Sequence, residues 1–175
     1  MRHWVENVVV GLNLCPFARR ELQQGRVRFA LCTARNEEAL LQALATELEL
    51  LDANPGIETT LLIHPRVLQD FPAYNQFLDS ADQLLAEMQM EGVYQVASFH
   101  PDYQFAGTAV DDPENYTNRS PYPLLHLLRE DSLERAIAAH PDVAAIPTRN
   151  IALMNALGVG KLRTLLAACL KPRAE

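Results

Sequence analysis

The sequence holds 175 residues, with 15 Lys or Arg against 22 Asp or Glu, a formal net charge of −7. Hydrophobic residues make up 49% of it and charged ones 21%, which suits one domain burying about 70% of its unfolded surface and excludes collagen-like and disordered classes. The acidic balance argues against a general nucleic-acid or anionic-membrane partner, and the three cysteines, Cys15, Cys32 and Cys169, do not make a disulfide framework.

In chain order, Trp4, Val5, Val8, Val9 and Leu12 form a stripe that predicts an amphipathic helix, with a strand opening at residues 8–10 as the alternative. Glu6, Asn7 and Asn13 interrupt the N-terminal apolar residues, so no signal-type stretch is read. No apolar run approaches the ~18 residues of a membrane span. The expectation is a soluble cytoplasmic protein with reduced thiols. Val27, Phe29 and Leu31 then alternate with more polar neighbours as a strand should. Asn36 is placed to cap a helix with Glu37 and Glu38 in its first turn, a stripe of Leu40, Leu41, Leu44, Leu48 and Leu51, and a stop at Asn54-Pro55-Gly56.

Residues 59–63 read as a buried strand stopped by His64-Pro65, residues 72–91 as a long helix stopped by Gly92, and residues 93–99 as a strand stopped by His100-Pro101. Residues 102–121 show no period, and so long a stretch is more often functional than idle. A strand over 123–129 comes next, then a helix started at Ser132 by the capping box of Asp131 and Glu134 and closed by His140-Pro141. Helices over 148–157 and 160–170 finish the chain, separated by Gly158-Val159-Gly160. Strands separated by helices imply an α/β fold. The expected form is a single three-layer domain over 1–175, with about four mainly parallel strands flanked by helices and a C-terminal helical pair at 148–175 packed on it. The order from residue 27 resembles the thioredoxin arrangement, except that Cys15 precedes the first strand.

Three groups of residues invite chemistry. In Cys15-Pro16-Phe17 the proline favours the first helical position, so Cys15 would stand at the N-cap, where free N–H groups stabilise a thiolate. Arg19 and Arg20 would add positive potential there. Ala18 stands where a Cys-x-x-Cys pair would have its second thiol, so a dithiol site is excluded. The structural alternative is a cysteine packing as a small hydrophobe, as Cys32 and Cys169 are read.

Two strands share the ending of apolar run, His, Pro, which would bring His64 and His100 to the carboxyl edge of the sheet, where open α/β folds bind ligands. His100, with Asp102 beyond it, is the candidate acid/base; His140-Pro141, which ends a helix, shows that the pair also serves as punctuation. In the long loop, Tyr103, Asn118, Arg119 and Ser120 gather polar groups, Arg119 being suited to grip an anion bidentately. The alternative is a solvated loop of Asx turns. His126, in an apolar strand, is either a bonded core histidine or a group facing the same cleft. Leu157-Gly158-Val159-Gly160 matches part of a helix-hairpin-helix DNA motif but lacks its usual proline. Walker, dinucleotide, Gly-x-Ser-x-Gly and zinc patterns are missing from the sequence.

Asn13-Leu14-Cys15-Pro16-Phe17-Ala18, Leu61-Leu62-Ile63-His64-Pro65, Ala97-Ser98-Phe99-His100-Pro101-Asp102-Tyr103-Gln104-Phe105-Ala106-Gly107 and Asn118-Arg119-Ser120-Pro121-Tyr122-Pro123, with His126-Leu127-Leu128-Arg129-Glu130, resemble a bacterial family of uncharacterised proteins, the domain of unknown function 1415 family. The resemblance covers nearly the whole chain. It implies a stand-alone cytosolic domain and supplies no reaction.

Two functional readings are open. In the first the chain is a small-molecule enzyme with a thiol/histidine site at the carboxyl edge. Cys15 is nucleophile, His100 acid/base and Asp102 its orienting partner, while Arg19, Tyr103, Asn118, Arg119, Ser120 and His126 hold an anionic substrate. A metal variant would use Cys15, His64, His100 and His126, whose spacing is not ligand-like; no cofactor is read from the sequence. In the second the same pocket binds a small molecule or a protein without catalysis, and Cys15 is structural.

Overall fold

The computed structural model describes residues 1–170. Its elements are α1 (Arg2–Trp4) continued by a π-helix (Val5–Val10), α2 (Ala18–Gln23), β1 (Val27–Leu31), α3 (Glu37–Ala53), β2 (Thr59–Ile63), α4 (Phe71–Glu87), β3 (Tyr94–Phe99), a 3-10 turn (Pro113–Thr117), β4 (Leu124–Arg129), α5 (Glu130–Ala139) and α6 (Ala145–Ala168).

Local chemistry accounts for most of these boundaries. The Asn36 side chain accepts the Ala39 N–H at 2.8 Å and starts α3, whose Leu40, Leu44, Leu48 and Leu51 have no exposed surface. Each such leucine contributes about 2 kcal/mol through burial. Asp70 caps α4 through the Ala73 N–H at 3.1 Å, with Pro72 in the first turn, a pair of start signals that places the helix start at Phe71. Gln89, at φ 58, makes a left-handed turn three residues before the expected Gly92 stop. At the end of the π-helix a Cβ on Gly11 would lie 2.2 Å from the Asn7 carbonyl oxygen, so only glycine fits there.

The sheet order is β1-β2-β4-β3. β1 and β2 are parallel, while β2–β4 and β3–β4 are both antiparallel. The α/β class and the four strands are as expected; the mainly parallel pairing is not, and these pairings do not establish a thioredoxin arrangement. The reason lies in the connections. α4 carries the chain past the place beside β2 and down into β3, and residues 102–121 stay at the carboxyl edge. β4 therefore enters from that edge and runs against its neighbours.

Alternation divides the strand residues between two cores. Leu62, Leu125 and Leu127 face α3 and α4, where Tyr74 and Phe77 are buried with them. Leu61, Ile63 and Leu124 face the other way, against Trp4, Val5 and Val8 of the N-terminal helix and Met154 and Leu162 of α6. The two expected C-terminal helices are present within Ala145–Ala168 and meet at a break at Gly158, whose φ 73 and ψ 155 are not helical; residues 171–175 of the expected pair lie outside the described residues. Among the described residues only Ala145–Ala168 reaches the length and apolar composition of a membrane-crossing helix, and only when counted across the Gly158 break. α5 begins at Glu130, directly after β4, and no side chain caps its start, so the box of Asp131 and Glu134 does not set that boundary.

Candidate functional site

His64 and His100 do reach one sheet edge, on either side of Leu124, and both are fully buried. The Nε2 of His100 lies 3.2 Å from the Leu68 carbonyl, and its Nδ1 accepts the Asp102 backbone N–H at 3.0 Å. Backbone groups thus engage both ring nitrogens. Burial lowers its pKa from the usual value, against the hydrogen bond to Leu68 and the Asp102 and Asp70 charges. His64 gives Nδ1 to the Val67 carbonyl at 3.1 Å and leaves Nε2 buried without a partner; burial takes its pKa down to about 4. Tyr74 lies between them, its ring centroid 5.8 Å from that of His64 and 5.1 Å from that of His100. Its hydroxyl donates to the Leu124 carbonyl at 2.7 Å and accepts the Phe99 N–H at 3.0 Å. Packed rings and backbone bonds thus enclose both imidazoles, which have no exposed surface.

The loop residues are engaged in the same way. Arg119 is buried, donates to the carbonyls of Tyr103 at 3.1 Å and Val110 at 2.8 Å, and stacks 4.6 Å over the Tyr116 ring. Asn118 donates to the Ser98 carbonyl, and the buried Ser120 hydroxyl donates to that of Tyr122. Tyr103 packs on Phe71 and Phe105. Asn115, fully buried, accepts from Phe105 and Thr108 and donates to Ala109. Residues 102–121 are therefore a loop tied to itself by the groups that seemed free for a ligand.

Cys15 and His126 stand on the other face of the sheet and share a cavity of about 320 Å³. Its floor crosses all four strands at Val27, Thr59, Leu61, His126, Leu128, Ala97 and Phe99. Trp4, Val5 and Val9 cover it from the N-terminal helix, and Leu133 and Ala136 of α5 close one side. Val27 and Thr59 are the first residues of β1 and β2, so the cavity lies toward the amino ends of those strands, opposite to the edge expected. Cys15 is not the N-cap of a helix: α2 begins only at Ala18, after a turn in which the Ala18 N–H bonds the Cys15 carbonyl at 3.3 Å. Arg19 is exposed and reaches the Val10 carbonyl at 3.4 Å.

The polar groups of the cavity are few and specific. The Thr59 hydroxyl lies 2.6 Å from the Leu127 carbonyl and 2.7 Å from Nε2 of His126. Its one proton must go to the carbonyl, so it can only accept from the imidazole. Nε2 therefore carries the hydrogen, and Nδ1 is a lone-pair acceptor with no partner among the described residues. Burial takes the His126 pKa to about 4, which keeps the ring neutral at neutral pH. Glu21 and Glu58, also in the cavity wall, share the Arg26 guanidinium at 2.7 and 2.8 Å. The Trp4 indole N–H is buried without an acceptor, its ring set edge-on 5.5 Å from Phe99.

A second depression, of about 550 Å³, lies where Leu31, Pro65 and Tyr122 meet Met1 and Arg2. It contains none of the residues picked from the sequence. Among the described residues no three His, Cys, Asp or Glu side chains are grouped to hold a metal ion.

A family model described as a protein of unknown function (DUF1415) matches residues 1–164. The chain belongs to that family. The matched stretch contains every wall of the Cys15–His126 cavity and all of the long loop. No curated protein and no solved structure matches the chain.

Of the residues picked from the sequence, Cys15 and His126 line this cavity, and Arg19, His100, Asp102, Tyr103, Asn118, Arg119 and Ser120 do not. The missed signal was the period-2 register: Thr59, Leu61, His126 and Leu128 occupy one face of paired strands, which becomes legible once β2 and β4 are known to pair.

Proposed function

We propose that the chain binds a small, predominantly apolar molecule in the cavity between the N-terminal helix, α5 and the sheet. The observation that carries this reading is a cavity of about 320 Å³ that stays open in the apolar face of the sheet, at the lower end of the size range of ligand sites. A core residue elsewhere in this fold is packed to near-zero exposure, so an unfilled space over four strands is not ordinary packing. The setting is a soluble cytoplasmic one, with Cys15 reduced.

Thiol chemistry on the bound molecule is the second reading, supported by Cys15 and His126 lining the same cavity. His126 is poorly suited to activate the thiol, because an imidazole with a pKa of about 4 is a weak base at neutral pH. Binding is therefore favoured over catalysis. His100, Asp102, Asn118, Arg119 and Ser120 are assigned to holding the loop, and an anionic substrate loses the cation it was expected to meet.

Titration with the neutral dye N-phenyl-1-naphthylamine tests the reading. We expect saturable fluorescence enhancement at one dye per chain, slowed alkylation of Cys15 by iodoacetamide in the saturated protein, and at least tenfold weaker binding in Ala136→Trp, whose ring would enter the cavity. Absence of saturable binding to the folded wild type would overturn it.

A further inference from the structure

Resting on that reading, we infer that the ligand is a neutral apolar molecule bearing one hydroxyl or N–H donor, which it gives to Nδ1 of His126, and that carboxylates and phosphates are selected against. The donor requirement comes from the tautomer. Thr59 gives its proton to Leu127, takes one from Nε2, and so leaves Nδ1 able only to accept. An apolar ligand without a donor would cover this nitrogen and leave a polar group buried and unpaired; one with a donor satisfies it.

The selection against anions comes from the charges. Arg129, the only cation lining the cavity among the described residues, donates to the carbonyls of Ile57, Leu51 and Asn54 and to the Tyr94 hydroxyl. Glu21 and Glu58, which also line the cavity, already share Arg26. A carboxylate would meet these two carboxylates and the Nδ1 lone pair. Arg129 keeps its charge but gives its N–H groups to neutral oxygens, so the hydration an anion loses would be replaced only in part.

The experiment is displacement of N-phenyl-1-naphthylamine by three compounds of similar shape: 1-naphthol, 1-methylnaphthalene and 1-naphthoate. We expect 1-naphthol to displace the dye at about five- to tenfold lower concentration than 1-methylnaphthalene, as for one added hydrogen bond, with 1-naphthoate the weakest. In His126→Leu the naphthol and methylnaphthalene values should converge. If that variant does not fold, Thr59→Val, which removes the group fixing the tautomer, should narrow the same difference. Equal displacement by naphthol and methylnaphthalene in the wild type, or tightest binding by naphthoate, would refute the inference while dye binding left the cavity reading standing. Failure of the dye itself to bind would remove both.

Discussion

Arg119 illustrates how a reactive-looking side chain becomes structural. Its guanidinium, buried with the residue, faces two carbonyls of its own loop and the Tyr116 ring, although Val110 itself is exposed. Replacing it with methionine keeps the bulk but removes the donor to both carbonyls, so we expect Arg119→Met to lose about 1–3 kcal/mol of stability in urea unfolding while dye affinity stays within about twofold. Unchanged stability with weakened binding would return Arg119 to the ligand. The sequence made the residue types legible, and Cys15 and His126, both singled out from it, line one cavity. The engagement of Arg119, His100 and Ser120 was not legible, because their partners are backbone carbonyls or N–H groups, two residues away at Asp102 and Tyr122 and much farther along the chain at Leu68 and Tyr103. No side-chain pattern encodes those. Cys15 was misjudged for a related reason: Pro16 is compatible with the first turn of a helix, yet the chain turns first and α2 waits until Ala18.

At the level of elements, periodicity and caps were reliable guides. The strands at β1, β2 and β3, and α3 with its Asn36 cap, emerge where alternation and leucine spacing put them. Pairing is a different kind of information. Whether β4 runs with or against β2 depends on the edge at which a twenty-residue loop delivers it, and the loop has no period to read. The observed pairing in turn decides the place of α5. This helix springs from the end of β4, buries none of its residues, and turns Leu133 and Ala136 toward the cavity instead of a core. Its far end is fastened by His140 edge-on to Phe17, with centroids 5.8 Å apart. An element held so lightly opens readily. Amide exchange in residues 130–139 should therefore slow when N-phenyl-1-naphthylamine saturates the protein, while exchange in α3 stays the same. Equal protection with and without dye would separate α5 from the cavity.

For the whole molecule, the buried histidines couple stability to pH. His64 and His126 are held neutral on opposite faces of the sheet, each with a pKa near 4 caused by burial, against about 6.5 in an unfolded chain. As pH falls below about 6.5 the unfolded chain takes up protons that the folded one refuses. Stability is therefore complete above that pH and declines toward pH 4, by about 3 kcal/mol at most for each ring. Against the 5–15 kcal/mol typical of a domain, two such rings decide where acid unfolding sets in. The net charge of −7 acts oppositely, since carboxylate protonation relieves repulsion in the compact state. A single substitution separates the two effects. His64→Phe keeps a ring against Tyr74 and loses the bond to Val67, so it should be less stable than wild type at pH 7.5. Between pH 6.5 and 4.5 its urea midpoint should fall by less than the wild-type midpoint does, because one of the proton-refusing rings is gone while His126 and His100, whose pKa burial also lowers, remain. If both proteins lose the same stability over that interval, His64 is not one of the groups that sets the acid limit of the fold.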